Sequence, residues 1–395
     1  MNRPLWAIFL TVLTNLVGFG IVIPLLPYYA RALGASPFTI GLLFASYSAA
    51  QLLASPVLGA WSDRWGRRPV LLLSLVGTAL SFVLLALAQS VGMLFVARII
   101  DGLSGGNIPT ARAYIADVTS EEDRARAFGL IGAAFGLGFI VGPALGGVLA
   151  HISYAAPAWI AAGITLGAVA LAWLWLPETV HRVSASRGPV WLELPRLLRH
   201  PHLGPLLGVD FLYWATAAVY QTTFALFASH RFGFGPGQTG VLLAFWGLLG
   251  AVVQVGLVGP VVRRMGESRA LAVGLVMAGL GLGVAAVSHT ATLFVLGTLP
   301  AALGAGVSNP ALVALLSRSA RPGEQGVVQG VASTLESLGR MVGPIWGNGV
   351  LGAFGEGAAF GSAAAVMVLT GLLALRLRPL PSPPEARVRM LPLRR

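Results

Sequence analysis

Five ionisable residues stand out because they lie inside long apolar stretches: Arg98, Asp101, Asp210, Glu336 and Arg340. A charge at the centre of a membrane span costs at least about 2.5 kcal/mol, so such residues usually serve a function. Arg98 and Asp101 are three apart, and Glu336 and Arg340 are four apart. Both spacings share a helix face and allow mutual neutralisation. Asp210 has no opposite charge within a turn. The chemistry open to this set is reversible protonation. Burial favours a neutral carboxyl group and a nearby arginine favours the ionised one. A carboxylate whose surroundings alternate between these conditions takes up a proton in one state and gives it back in the other. Glu336 and Asp210 are the expected titrating groups, with Asp101, Arg98 and Arg340 tuning or relaying. The competing reading is that the pairs are structural and fix helix register.

The elements that hold these residues follow from composition. The chain has 395 residues, 56% hydrophobic and 10% charged, with mean hydropathy +0.80. That is too little charge for the surface of a soluble protein of this length. About 20 apolar residues cross a bilayer. Twelve such helices are expected near 5–29, 39–61, 70–89, 92–116, 126–150, 155–176, 204–229, 238–262, 270–288, 292–317, 325–350 and 356–376. Glu336 then sits eleven residues into its helix, about 16 Å deep at about 1.5 Å per residue. Asp210 is shallower. The first apolar stretch is read as a span and not as a cleaved signal.

The net charge of +12 does not point to nucleic acid. All 26 basic residues are arginine, and they gather in alternate connections and in the C-terminal tail. That pattern sets orientation and places both termini in the cytoplasm. There is no cysteine and no histidine cluster, so neither a metal site nor a cofactor is expected. No glycine-rich turn is followed by Lys-Ser or Lys-Thr, so nothing supports ATP-driven chemistry.

The chain is duplicated. Gly59-x-x-x-Asp63-Arg64-x-Gly66-Arg67-Arg68 has a weakened copy beginning at Gly259, 200 residues later. Gly34-x-x-Pro37…Gly41 recurs as Gly233-x-x-Pro236…Gly240, and Pro109 recurs as Pro310. Gly138-x-x-x-Gly142-Pro143 recurs as Gly339-x-x-x-Gly343-Pro344. The expected organisation is a six-helix bundle over 1–176, a polar linker over 177–203, and a second bundle over 204–378. A basic tail over 379–395 is expected to lie against lipid headgroups. A small-molecule site at the midplane between the bundles follows from this architecture.

These residues resemble the major facilitator superfamily, in particular its twelve-helix drug:proton antiporters. The resemblance rests on the Gly59–Arg68 turn, on Arg98-x-x-x-Gly102, on Gly138-x-x-x-Gly142-Pro143-x-x-Gly146-Gly147, and on Gly18…Pro24-x-x-Pro27. The first half is most similar to tetracycline exporters. Those carry intramembrane aspartates where this chain has Asn15 and Ser81, which argues against a tetracycline–metal substrate. The resemblance implies that Gly59, Asp63, Arg64, Gly66, Arg67 and Arg68 form a gating motif. In it, Asp63 would latch onto the N-terminus of helix 11, and Arg67 would pair with Asp117. A carboxylate at a helix N-terminus is stabilised by about 0.3–1 kcal/mol. The alternative is a solvated turn that only orients the chain. The glycines of helix 5 (Gly138, Gly142, Gly146 and Gly147, with Pro143) are expected to press on the other half and seal it. The alternative there is packing within one bundle.

Midplane polar and aromatic residues suit amphipathic organic molecules: Asn15, Tyr47, Gln51, Asn107, Tyr213, Tyr220, Gln221, Trp246, Gln254 and Asn309. The expected protein is an all-α, monomeric transporter of the bacterial inner membrane. It would export lipophilic drug-like molecules in exchange for protons. Export of sugars or another metabolite remains open, as does a non-transporting membrane sensor or lipid-handling protein.

Overall fold

The computed structural model describes residues 3–105, 108–119, 121–179, 190–321 and 324–376. All regular structure among them is helical. The first half comprises α1 (Arg3–Ala32), α2 (Pro37–Trp65), α3 (Arg67–Ala86), α4 (Val91–Ser104) with α5 (Ile108–Val118), α6 (Glu121–Leu149) and α7 (Ala156–Trp175). A 3-10 turn at Val190–Glu193 and the short α8 (Leu194–Leu198) precede the second half. That half comprises α9 (Leu203–Phe232), α10 (Pro236–Gly256) with α11 (Val258–Met265), α12 (Glu267–Val287), α13 (Ala291–Ser319), α14 (Gln325–Phe354) and α15 (Glu356–Ala374).

Ten of these helices are long and apolar enough to cross a membrane. The fourth span does not qualify because it is split into α4 and α5. The eleventh, α14, carries Glu336, Arg340 and many amide and hydroxyl side chains. Spans 4 and 8 were expected to be continuous and are instead each broken once. Pro109 cannot donate to the Gly105 carbonyl, nor Pro260 to that of Gly256, and glycine at each break lowers helix propensity further.

Local signals repeat as the sequence does. Ser90 Oγ caps α4 through Met93 N at 3.3 Å, and Thr290 Oγ1 caps α13 through Leu293 N at 3.2 Å. Gly66 and Gly266 both turn between helices at positive φ, 108° and 79°. Packing repeats too. In the first half α1 packs on α6, α3 on α7 and α3 on α4; in the second α9 packs on α14, α12 on α15 and α12 on α13. The halves meet through two crossed pairs, α2 with α14 and α6 with α10.

Those crossings are equivalent, as expected of two repeats related by rotation. Gly240 lies against the Pro143 carbonyl, and Gly41 lies against the Pro344 carbonyl. A Cβ on either glycine would collide with that carbonyl, so only glycine allows the approach. Nearby, the Tyr28 hydroxyl reaches Phe234 O at 2.9 Å and Thr239 Oγ1 at 2.7 Å across the seam. All these contacts lie toward the arginine-poor end. At the other end the halves splay, and a Cβ on Gly129, Gly132, Gly136, Gly250 or Gly256 would meet open space.

Candidate transport cavity

The splayed halves enclose a cavity of about 580 Å³ that both halves line. On the first half, Asp101 is on the wall and is held from behind by Arg98, whose NH1 donates to Oδ2 at 2.6 Å. Arg98 is 1% exposed and off the wall, with its guanidinium 4.2 Å from the Tyr47 ring centre. Gln51 donates to the Tyr47 hydroxyl at 3.2 Å and to Gly105 O at 3.0 Å. That amide satisfies the carbonyl which Pro109 leaves without a helical donor, so the break in span 4 is stabilised by a wall residue.

On the second half, Glu336 and Arg340 both line the cavity, 4.0 Å apart, and Arg340 lies over the Trp214 ring at 4.9 Å. The glutamate is thus near its arginine without a close hydrogen bond, and about a quarter of its side chain is exposed. Asp210 is off the wall, 1% exposed, and its Oδ2 has no hydrogen-bond partner among the described residues. It lies within electrostatic reach of Glu336 and Arg340.

Of the expected substrate contacts, Asn15, Tyr47, Gln51, Gln221, Trp246, Gln254 and Asn309 line the cavity. Tyr213 and Tyr220 do not. Tyr213 is 5% exposed in the core of the second half. Tyr220 packs its ring on Phe224, Trp246 and Phe360, one layer behind the wall. An aromatic side chain on a membrane helix serves packing as readily as binding, and the sequence does not separate the two. Asn107 lies outside the described residues.

The turn between α2 and α3 differs from expectation. Arg67 does pair with Asp117, at 3.2 Å, and it also pairs with Asp63. Asp63 thus engages its own turn, and among the described residues it makes no hydrogen bond to the N-terminus of α14. Gly59 permits no close approach, since a Cβ there would have nothing within 4 Å. Arg64 is exposed. The carboxylate at a helix N-terminus is Glu178, which accepts from Arg67 N at 2.9 Å and Arg68 N at 3.3 Å. Arg68 also donates to Trp173 O at 2.6 Å. Glu178 was missed in the sequence, although an acid directly after Pro177 at the end of span 6 was a visible signal. The second half repeats the Arg67–Asp117 link with the signs exchanged, as Glu267–Arg318 at 2.8 Å.

The helix 5 glycines also divide differently. Gly138, Gly142 and Gly146 pack on α1 of their own half, against Leu16, Gly20 and Ile21. Only Gly147 faces the other half, where a Cβ would lie 2.7 Å from Pro236 O. Small residues recur at the helix spacing on one face, and a sequence does not say which neighbour that face meets. A further wall residue, Arg112, was also missed. It lies inside the expected span 92–116 and carried the same signal as Arg98.

Comparison with known proteins agrees with this architecture. The family model of the Major Facilitator Superfamily matches residues 8–344 and 206–394. The class C tetracycline resistance protein of Escherichia coli is 36% identical over 353 residues, 87% of this chain and 88% of that protein. Multidrug resistance protein 2 of Bacillus subtilis is 32% identical over 353 residues, 86% of this chain and 88% of that protein. Among solved structures, the human organic anion transporter MFSD10 superposes with TM-score 0.71 at 27% identity, covering 94% of this chain and 99% of the other. A peptide transporter, POT, shares the fold with TM-score 0.83 at 16% identity, covering 95% and 94%. A duplicated helical architecture, a cavity between its halves and relatives that span most of the chain lead to one conclusion: this multi-pass membrane protein is a small-molecule transporter and belongs to the Major Facilitator Superfamily.

Proposed function

We propose that the protein is a proton-coupled antiporter that exports lipophilic, drug-like molecules by alternating access. The observation that carries this reading is the shared wall: Asp101 from one half and Glu336 from the other face the same cavity. Arginine-rich connections are cytoplasmic, so the splayed end opens inward and the seam at Tyr28, Gly41 and Gly240 closes the outside. Glu336 is then wet while the cavity is open. Closing the cavity strips that water away. A carboxylate transferred from water to an apolar surrounding without new partners is strongly disfavoured and neutralises instead. Either a proton or a substrate must therefore occupy Glu336 before the halves rock, and competition for that place couples the two flows.

The wall supports the substrate class. Phe19, Phe135, Phe139, Trp214 and Trp246 offer flat apolar area, and Asn15, Gln51, Gln221, Gln254 and Asn309 offer hydrogen bonds. A few polar groups set in an apolar wall are usual for organic ligands. The tetracycline and multidrug resistance relatives favour the same class. The test is substrate-driven proton movement in proteoliposomes. Addition of a lipophilic dye should release protons from the side it enters, and an imposed pH gradient should drive dye uptake. Silence in both assays would overturn antiport.

A further inference from the structure

Four charged side chains lie on the cavity wall: Asp101 and Arg112 from the first half, Glu336 and Arg340 from the second. Asp101 is satisfied by Arg98 at 2.6 Å, and Arg340 stands 4.0 Å from Glu336. Arg112 is different. It is exposed to the cavity, and among the described residues it makes no ion pair and no hydrogen bond. The carboxylate of Glu336, on the other half, lines the same cavity and lies within electrostatic reach of Arg112.

A guanidinium in an open crevice is stabilised by water. When the crevice closes, that hydration is lost, and a buried cation without a partner is strongly disfavoured. Glu336 can serve as that partner only while it is ionised. The antiport reading requires it to be occupied by a proton or by substrate. A positively charged substrate would occupy Glu336 and leave Arg112 bare. A negatively charged one would satisfy Arg112 and leave Glu336 free to hold its proton, which couples substrate and proton in the same direction. A molecule with both signs fills both places and still displaces the proton.

The geometry points to zwitterionic aromatic amphiphiles as the substrates of this cavity, the anionic group held by Arg112 and the cationic nitrogen by Glu336. Phe19, Phe135, Phe139 and Trp246 would take the ring system between them. The inference rests on the antiport reading and narrows its substrate class. Recognition of the anion would be a charge-assisted, two-pronged hydrogen bond, which arginine makes and glutamine does not.

The test compares two probes of one skeleton in proteoliposomes under a pH gradient. Tetramethylrhodamine is a zwitterion, and its methyl ester is a monocation. The wild-type protein should exchange the free acid for protons faster than it exchanges the ester. Arg112→Gln should lower transport of the free acid relative to the ester by at least about tenfold, the scale of one lost hydrogen bond to a charge. Arg112→Lys should restore part of that ratio. Arg112 is exposed, so the variants should elute from size exclusion as the wild type does. An unchanged ratio in Arg112→Gln overturns the inference. So does a wild-type protein that exchanges the ester for protons and excludes the acid, and that result leaves antiport standing. If neither probe moves and neither displaces protons, both readings fall.

Discussion

The Tyr28 hydroxyl sits 2.7 Å from Thr239 Oγ1, joining the first span to the eighth across the seam between the halves. It also donates to Phe234 O at 2.9 Å, so a single side chain ties two segments of the opposite half. A hydrogen bond of this kind contributes about 0.5–1.5 kcal/mol net. Tyr28→Phe should therefore raise the outward-open population between about twofold and tenfold. The native chain has no cysteine, so a single Ser48→Cys on the cavity wall, reached from outside only when the seam opens, gives a clean reporter. Its labelling by an impermeant maleimide in right-side-out vesicles should speed up by that factor.

Glu336→Gln keeps the shape and the hydrogen-bonding capacity of the side chain and removes its titration. Proton-driven accumulation should vanish, while substrate exchange down its own gradient persists and thermal unfolding in detergent is nearly unchanged. Normal accumulation in this variant would transfer the coupling role to Asp101 or Asp210.

Glu178 accepts two backbone N–H bonds at the start of α3, which makes it a structural cap more than a gate. Glu178→Ala should destabilise the first half by about 1–3 kcal/mol, the cost of leaving such donors unmet. A lower melting temperature with transport per folded molecule preserved would fit this role. A transport loss without destabilisation would return the residue to the gating machinery.

At the equivalent crossings, Gly240→Leu and Gly41→Leu place a branched side chain where the Pro143 and Pro344 carbonyls lie. Backbone cannot give way as a flexible side chain does. Each variant should hold the seam apart, so that Ser48→Cys reacts from outside regardless of substrate, and transport should stop.

Much of this was legible in advance, because membrane helices announce themselves by length and hydropathy, and a duplication by repeated spacing. The all-helical fold and the number of spans needed no coordinates. What the sequence withheld was direction. The helix 5 glycines mark a smooth face equally well for α1 or α10, and only folding decided for α1. Tyr213 and Tyr220 share their residue type with Tyr47, yet lie behind the wall. Asp63 and Glu178 are both acids at the end of a helix, and which helix start each meets depends on how neighbouring helices pack. Gly105 and Gly256 could have been recognised as breaks, since each precedes a proline by four residues.

The two glycine–carbonyl crossings define a line through the molecule, and that line is far from its middle. Along α14, Pro344 stands nineteen residues from Gln325 and ten from Phe354, roughly 28 Å and 15 Å at about 1.5 Å per residue. Such an off-centre fulcrum makes an unequal lever: one arm sweeps about twice the arc of the other for the same tilt. On the proposed export reading, cargo enters by a wide doorway and leaves by a narrow one, and the width of the exit, not the capacity of the chamber, sets the largest molecule the protein can discharge.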